Sequence, residues 1–182
     1  MKINRENWIF VTGKAGAGKT FWIKKHMEAI PPEMLYIYDY NQSDYQKFKS
    51  ANLWNVQYGS QSEIEEFLKI VYAQGNCMAI LEESDNYFQY PSEILRRFVN
   101  TARNRGIGSI VNAKRAKSIK PVFRTRFNYL ILFQNTLSDD IKYLEEWVGI
   151  DKGGLEILRT LKTGEHIILN LDSQEVSEVM KL

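Results

Sequence analysis

The feature that most constrains the fold of this chain is a glycine-rich stretch directly after its first apolar segment. Residues 13–20 read GKAGAGKT and follow the apolar run WIFVT at residues 8–12. They satisfy the pattern G-x-x-x-x-G-K-[ST], in which glycines let the backbone wrap a phosphate and the helix that follows adds the positive end of its dipole. A chance match is expected in only about one chain per hundred of this length. The sequence therefore predicts a strand, a phosphate-binding loop and a helix, in that order.

The residues of this loop predict a binding site for ATP and Mg²⁺. We expect the Lys19 ammonium to reach the β- and γ-phosphates, which makes it a predicted catalytic residue, and the Thr20 hydroxyl to ligate Mg²⁺. The predicted nucleotide-binding set is the loop together with the residue that follows it: Gly13, Lys14, Ala15, Gly16, Ala17, Gly18, Lys19, Thr20 and Phe21.

The rest of the chain predicts short strands that alternate with helices. Apolar runs predict strands at residues 8–12, 34–39, 53–58, 77–83, 107–113 and 129–133. Helical spacing predicts helices at residues 19–30, 43–51, 62–75, 92–104, 138–148 and 154–162. The segments EHIILNL and EVSEVMKL flank a short turn and predict a C-terminal β-hairpin. This order predicts an α/β fold of one domain over residues 1–182, with a mainly parallel central sheet flanked by helices.

A pair of acidic residues predicts the catalytic and metal-binding half of the site. Glu82 and Glu83 follow the apolar run at residues 78–81. We expect Glu82 to hold the water shell of Mg²⁺ and Glu83 to orient or deprotonate the attacking water. The alternative is a pair of solvated acids at the end of a strand. A double acid favours nucleotide hydrolysis as the work of the protein.

A long basic interval is the second unusual feature. No acidic residue lies between Glu93 and Asp139, although the chain as a whole has a net charge of only +2. The interval holds ten cations: Arg96, Arg97, Arg103, Arg105, Lys114, Arg115, Lys117, Lys120, Arg124 and Arg126. This imbalance favours contact with a phosphate backbone or with the nucleotide of a neighbouring subunit. The predicted DNA-binding residues are Lys117, Lys120, Arg124 and Arg126. The alternative is a solvated basic face, or pairing with acids elsewhere such as Asp139 and Asp140.

Composition argues against several classes of protein. A single cysteine, Cys77, excludes an intramolecular disulfide, and no Cys/His cluster has zinc spacing, so we expect no structural metal. No run approaches the roughly 18 apolar residues of a membrane helix. The first residues, MKINRENW, lack the apolar core of a signal peptide. We therefore expect a soluble intracellular protein.

The order of these parts resembles the FtsK–HerA superfamily of DNA-pumping P-loop ATPases. A P-loop precedes AILEE, a helix then ends in TARNRGIGSIVNAKRAKSI, and PVFRTRFNYLILF follows. The chain looks most like the small viral members, the genome-packaging ATPases of double-jelly-roll viruses, which end as this chain does with LKTGEHIILNLDSQEV. The resemblance spans nearly the whole sequence. It implies a RecA/FtsK–HerA-like fold and an ATP-hydrolysing translocase of double-stranded DNA that packages a viral genome into a preformed capsid.

The resemblance also implies roles for residues of the site. Lys19 and Thr20 match the Walker A pair of the family. Glu82 and Glu83 match the Asp-Glu pair of its Walker B motif, with Glu82 in the place of the usual Asp.

Two further catalytic roles follow from the resemblance alone. Arg103 matches an arginine that acts on the nucleotide of a neighbouring subunit, with Arg105 as the next residue to test. Because Arg103 stands at the end of a helix from about residue 92, we expect it at the edge where the strands of the sheet end, close to the nucleotide. The alternative is that it serves the phosphate of its own subunit or caps its own helix. Lys114 stands where the family has a glutamine that senses the γ-phosphate. Either Lys114 senses the phosphate with a charge, or nearby Asn112 takes this role.

The resemblance implies partners and a location as well. Its motors are rings, so we expect a homo-oligomer of five or six copies around duplex DNA, together with a capsid or portal-vertex protein. The expected location is the cytoplasm of the host cell, with association at the virion vertex.

Two other functions remain open on the sequence alone. One is a nucleoside or small-molecule kinase, which predicts a phosphorylated acceptor and no stimulation by DNA. The other is a nucleotide-switched assembly module, which predicts tight binding with negligible turnover.

Overall fold

One nine-stranded sheet runs through the part of the chain that the structure, a computed structural model, describes: residues 3–42, 44–48 and 51–182. The strands are β1 (Trp8–Thr12), β2 (Leu35–Asp39), β3 (Asn52–Asn55), β4 (Met78–Leu81), β5 (Gly108–Ala113), β6 (Tyr129–Phe133), β7 (Glu165–Asn170), β8 (Glu175–Val176) and β9 (Met180–Lys181). The helices are α1 (Lys19–Met27), α2 (Gln61–Gln74), α3 (Asp85–Phe88), α4 (Glu93–Thr101), α5 (Pro121–Arg124) and α6 (Ser138–Val148). Short 3₁₀ helices cover Pro32–Met34, Ala102–Arg105, Ala116–Ser118 and Glu156–Arg159.

The topology brings the ends of distant segments together at one edge. The strands lie in the order β3-β2-β4-β5-β1-β6, all parallel, and β7 then pairs with β6 antiparallel. We call the edge where β1 to β6 end the carboxyl edge, and the edge where they begin the amino edge. Strand β5 lies between β1 and β4, with Ile110 opposite both Ile9 and Ile80. Side chains at the end of β5 are therefore placed between the residues that follow β1 and those that follow β4.

Both faces of the sheet are covered, which explains why the central strands are apolar at nearly every position. Trp8 and Phe10 of β1 pack on one face with buried residues of α2, α4 and α6. Ile9 and Val11 pack on the other face with buried residues of α1. The alternation fixes the register of β1, because a shift by one residue would exchange the two faces.

The helices differ in whether a side chain caps their first N–H groups. The hydroxyl of Ser60 accepts the backbone N–H of Glu63 at the start of α2, and that of Ser92 accepts the N–H of Leu95 at the start of α4. Helix α1 differs, because its N-cap is Gly18, whose side chain offers no such acceptor. The first N–H groups of α1 are therefore available to a ligand.

The predicted fold class is confirmed, including the C-terminal hairpin, in which β8 and β9 both pair with β7. The bounds predicted for the strands at 8–12 and 129–133 and for the helix at 138–148 are those observed. Helix α1 ends at Met27, three residues before the predicted end at 30, and β3 is four residues long instead of six.

Two helix predictions need correction, and two observed helices were not predicted. Of the helix predicted at 43–51, Ser43, Lys49 and Ser50 lie outside the described residues, and residues 44–47 form a turn. The helix predicted at 154–162 is only a 3₁₀ turn at Glu156–Arg159. There the Glu145 carboxylate accepts the N–H groups of Gly153 and Leu155, at 2.9 and 3.1 Å, so these donors are tied to α6. The short helices α3 and α5 were missed, because neither is long enough to show a helical period.

Two expectations from the sequence concern the cysteine and membrane-spanning helices. Cys77, just before β4, is buried with 1% of its surface exposed. Within the described residues, none of the helices combines the length and apolar character that crossing a bilayer requires.

Candidate functional site: a nucleotide pocket at the carboxyl edge

The loop at residues 13–20 has the backbone that phosphate binding requires. Gly13, Gly16 and Gly18 all have positive φ angles, at 149°, 74° and 111°. A Cβ at Gly13 would lie 2.7 Å from the Cβ of Phe133, so a larger residue cannot take this place without a shift. The open N-terminus of α1 follows at once, and its free N–H groups with the helix dipole form a site for an anion.

The loop is held by two residues that sequence reasoning missed. The carbonyl of Gln134, just after β6, accepts the N–H of Lys14 at 2.8 Å. The N–H of Gly164, just before β7, donates to the carbonyl of Ala17 at 2.9 Å. Because these are backbone contacts, no residue type in the sequence could have pointed to them.

Lys19 projects into the loop itself. Its Nζ donates to the carbonyls of Gly13 and Lys14, at 2.8 and 3.0 Å, and the residue is only 8% exposed. Burial lowers the pKa of Lys19, while the negative charges of Glu83 and Glu82 act in the opposite direction. The ammonium thus lies where phosphate oxygens could replace the two carbonyls. Thr20 is half-buried beside it, and Phe21 is exposed.

Glu82 lies at the end of β4, and its carboxylate faces protein donors. Tyr45 Oη donates to Oε1 and Asn112 Nδ2 donates to Oε2. Burial raises the pKa of Glu82 to about 7, against the opposing effect of these two hydrogen bonds. The structure therefore brings Glu82 to the predicted edge but leaves neither of its oxygens free, and Tyr45 is a partner that the sequence did not indicate.

Glu83, in contrast, pairs with a predicted sensor residue. Lys114 Nζ lies 2.8 Å from Glu83 Oε2, and the two side chains are 51% and 17% exposed. Glu83 also has a φ of +48°, a conformation that costs free energy for a residue with a side chain and that turns this side chain away from the direction a regular strand would give.

Asp85 fixes the backbone around that pair. Its carboxylate accepts the N–H groups of Lys114 and Arg115, at 2.7 and 2.9 Å. Ser84 adds two more links, because its N–H and its hydroxyl both donate to the carbonyl of Asn112. The ends of β4 and β5 are thus tied together beyond their paired residues. Asp85 follows the two glutamates in the sequence, but nothing in its position there predicted this role.

Several buried polar atoms at the carboxyl edge have no hydrogen-bond partner among the described residues. They are Thr12 Oγ1, Asp39 Oδ1, Asn112 Oδ1 and Asn135 Nδ2. Buried polar atoms without partners are costly, so a group of them at the end of adjacent strands indicates a place for a polar ligand. No group of three or more His, Cys, Asp or Glu side chains that could hold a metal occurs in the part described. The oxygens of Thr12 and Asp39 that lack a partner among described residues suit a hard ion such as Mg²⁺, which takes oxygen ligands and keeps several of its waters.

The basic interval separates into two groups. Three cations near the carboxyl edge are paired with acids: Lys114 with Glu83, Arg115 with the buried Asp140, and Lys117 with Asp139. The other cations of the interval form no ion pair with a described carboxylate: Arg96, Arg97, Arg103, Arg105, Lys120, Arg124 and Arg126. The alternative of pairing with acids elsewhere thus holds for one group and not for the other.

The predicted DNA-binding residues differ in how free they are. Lys120 is exposed, with its ammonium 5.7 Å from the ring centre of Tyr90. The guanidinium of Arg124 lies over the ring of Tyr143 at 3.9 Å, and Arg126 donates to Asn100 Oδ1 at 3.2 Å. The four residues therefore do not form one cluster, because the paired Lys117 lies near the carboxyl edge and Arg126 near the amino edge.

Arg103 lies at the opposite end of the molecule from the P-loop. It donates to the carbonyl of Arg126 at 2.7 Å and to Asn128 Oδ1 at 3.0 Å, and the same Asn128 oxygen accepts the N–H of Trp8. Because β5 begins at Gly108 parallel to β1, the chain before it enters at the amino edge. The expectation that Arg103 lies near the carboxyl edge was wrong. A strand of five residues separates it from its own phosphate site, roughly 17 Å.

Comparisons with known proteins agree with the fold. No protein-family model matches the chain, and no curated protein sequence matches it. The solved structure of B204, the DNA-packaging ATPase from Sulfolobus Turreted Icosahedral Virus, superposes with a TM-score of 0.83 at 18% identity, over 99% of this chain and 100% of that one. The genome packaging NTPase B204 from Sulfolobus turreted icosahedral virus 2, in complex with AMPPCP, gives 0.82 at 17% identity, over 98% and 99%.

A more distant similarity extends the comparison beyond viruses. EssC (ATPases 2 and 3) from Geobacillus thermodenitrificans gives a TM-score of 0.66 at 14% identity, over 97% of this chain and 40% of that one. These TM-scores show a shared fold, and identities this low leave the activity open. With its P-loop and its parallel sheet, the chain therefore shares the fold of these ATPases.

Proposed function

We propose that this protein is a Mg²⁺-dependent ATPase that moves double-stranded DNA and packages a viral genome into a preformed capsid. It works as a ring of five or six copies around the DNA, in the cytoplasm of the host cell, with a capsid or portal-vertex protein as a further partner at the virion vertex. One observation carries the proposal: a complete P-loop, an acid pair and a cation converge at one edge of a sheet whose fold matches packaging ATPases over nearly the whole chain.

Binding would rest on the loop and on α1. The N–H groups of residues 14–20 would surround the phosphates, and Lys19 would exchange its two carbonyl contacts for β- and γ-phosphate oxygens. The Thr20 hydroxyl would hold Mg²⁺ together with phosphate oxygens and the water shell near Glu82. When bound, Mg²⁺ supplies neutralisation of the negative charge on the phosphates.

Hydrolysis would rest on Glu83. As a carboxylate at the carboxyl edge it can accept a proton from a water aligned with the γ-phosphate. Glu82 is held by Tyr45 and Asn112 and is better placed to orient its neighbour and the metal's water shell than to accept that proton. Glu83 is therefore the proposed general base.

A ring would explain the position of Arg103. This arginine is exposed at the amino edge and cannot reach the phosphate site of its own chain. In a ring, one subunit's surface away from the P-loop faces the next subunit's nucleotide, so an arginine there can stabilise charge in a neighbour's transition state.

The unpaired cations near α4 and α5 would bind the DNA backbone. A groove of about 640 Å³ between α4 and α5 is lined by Arg96 and Lys120, with the exposed Tyr90 and Asn100 beside them. Arg126 extends the same surface through its contact with Asn100. Such contacts go to phosphates and carry no base information, so we expect sequence-independent binding that salt weakens strongly. Lys117 is paired with Asp139 and should contribute less than Lys120.

The test is the rate of ATP hydrolysis with and without duplex DNA. The proposal predicts Mg²⁺-dependent turnover that duplex DNA of any sequence accelerates, more at low salt than at moderate salt. Transfer of phosphate to a small-molecule acceptor without a response to DNA would support a kinase instead. Tight nucleotide binding with negligible turnover in either condition would support an assembly switch and overturn the motor.

A further inference from the structure

The ion pair between Lys114 and Glu83 joins the proposed general base to one of the two residues that the sequence offers as a sensor of the γ-phosphate. Lys114 would sense the γ-phosphate, and Glu83 would act on the attacking water. While the two are paired at 2.8 Å, one oxygen of the base is occupied by an ammonium. We propose that Lys114 exchanges between Glu83 and the γ-phosphate, so that it determines the preference for triphosphate over diphosphate and frees Glu83 only when a triphosphate is bound. The inference rests on the proposed nucleotide hydrolysis and does not depend on DNA.

The backbone of Lys114 is fixed, whereas its side chain can move. Asp85 holds the N–H groups of Lys114 and Arg115, and Asn112, two residues earlier, is held by Ser84 and Glu82. The Lys114 side chain is nevertheless 51% exposed, and apart from this carboxylate it has no partner among the described residues. A lysine whose backbone is fixed and whose side chain is free can move its ammonium between two anions.

The position of β5 brings the second anion within reach. Lys114 follows β5, which lies between β1, the strand before the P-loop, and β4, the strand before Glu83. Because neighbouring parallel strands end at the same edge of the sheet, Lys19, Glu83 and Lys114 all lie at the carboxyl edge. In keeping with this, the charges of Glu83 and Lys114 both act on the pKa of Lys19. The γ-phosphate contacted by Lys19 would thus compete with Glu83 for the same ammonium.

Electrostatics favours the exchange when a triphosphate is present. The ion pair is partly exposed, and the γ-phosphate carries more negative charge than a carboxylate. Since solvent exposure weakens the pair, the γ-phosphate gives the ammonium a second anion to which it can move even when Lys19 and Mg²⁺ share the charge of that phosphate. ADP lacks this group and leaves the pair intact. Lys114 thus positions Glu83 through a contact that the substrate itself removes.

The test is a double-mutant cycle on nucleotide affinity. Glu83→Gln, Lys114→Met and the double variant are titrated with ADP and with a non-hydrolysable ATP analogue, and the ratio of the two affinities is compared with wild type. Glu83→Gln removes the pair and also some repulsion of the γ-phosphate. The first effect needs Lys114 and the second does not. The gain in triphosphate preference caused by Glu83→Gln should therefore be about two- to fivefold larger when Lys114 is present than in the Lys114→Met background.

The size of the gain in the two backgrounds decides the outcome. An equal gain would show that Lys114 is not involved, and a smaller gain with Lys114 present would show that it bridges both anions at once; either result overturns the exchange. Arg159→Met is the control, because Arg159 is also paired with an acid, Glu156, but not with Glu83, and it should leave the ratio unchanged. If wild type binds neither nucleotide, the proposed ATPase function is overturned as well.

Discussion

Residues 13–20 and residues 94–126 are the two stretches whose composition departs most from an ordinary chain, and the fold treats them differently. The first stretch stays together in one turn, where the backbone of the glycines itself forms the site. The second runs along α4 to the amino edge, returns through β5 to the carboxyl edge, and leaves again through α5. Its cations consequently lie at the amino edge, at the carboxyl edge and along α4 and α5 between them.

The difference shows when a sequence motif can be trusted to form a site. A P-loop needs only local geometry and the helix that follows it, so its spacing in the sequence is its spacing in space. A charge imbalance has no such geometry. Lys117 and Lys120 are three residues apart, but the first faces Asp139 and the second lies over Tyr90.

The largest expected effect is at the first stretch. Lys19→Ala should abolish ATP hydrolysis, with a loss greater than the roughly thousandfold that a single preorganised donor is worth, because it removes both binding and transition-state contacts. Lys14→Ala is the matched control, since the Lys14 side chain is exposed and only its backbone holds the loop. Steady-state turnover checks both variants. Normal hydrolysis by Lys19→Ala would show that the P-loop is not the catalytic site.

The next effect concerns the amino-edge part of the second stretch. Arg103→Ala should bind ATP normally yet lose about a thousandfold in rate, as expected when an arginine finger is removed. Arg103→Ala subunits keep an intact P-loop, and Lys19→Ala subunits keep Arg103. Partial activity should therefore return when the two variants are mixed.

The same mixing experiment tests whether Arg103 acts between subunits. If confirmed assemblies show no recovery at any ratio, Arg103 does not act between subunits, and Arg105 is the next residue to test. Arg105 is exposed at the same edge and donates to the carbonyl of Ala73.

The smallest expected effect separates the two groups of cations. Arg96→Ala with Lys120→Ala should weaken duplex binding and make the plot of log affinity against log salt shallower by about 1.8, since two phosphate contacts are lost. Lys117→Ala should change this slope much less, and ATP hydrolysis without DNA should be unchanged in both the double and the single variant. Equal slopes for all variants would show that the groove between α4 and α5 is not the DNA surface.

Sequence reasoning reached the fold because its signals were local. The apolar runs at β1 and β6 and the spacing of α6 gave their bounds, since each element is long enough to show a period or to be buried on both faces. The predicted helix at 154–162 did not form, because N–H groups at its start bind the carboxylate of Glu145 from another helix. Such a contact is tertiary and leaves no periodic trace in the sequence.

Only part of the candidate site could be predicted from the sequence, for the same reason. Lys19, Glu82, Glu83 and Lys114 were predicted as site residues, and all four lie at the carboxyl edge. Their partners Tyr45 and Asp85 were not, because hydrogen bonds between the ends of distant strands depend on strand order. The misplacement of Arg103 has this origin as well: the direction in which β5 runs decides its edge, and a short sequence segment does not state direction.

Cys77 has a practical consequence for testing the proposed ring. It is the single cysteine of the chain, it is 1% exposed, and burial raises the pKa of its thiol to about 11. Maleimide dyes react with thiolates, so the folded native protein should stay unlabelled near neutral pH. Cysteines introduced at the exposed positions 21 and 103, one per subunit, would then carry dyes selectively, and energy transfer between them would report how closely adjacent subunits approach without any change to the native cysteine.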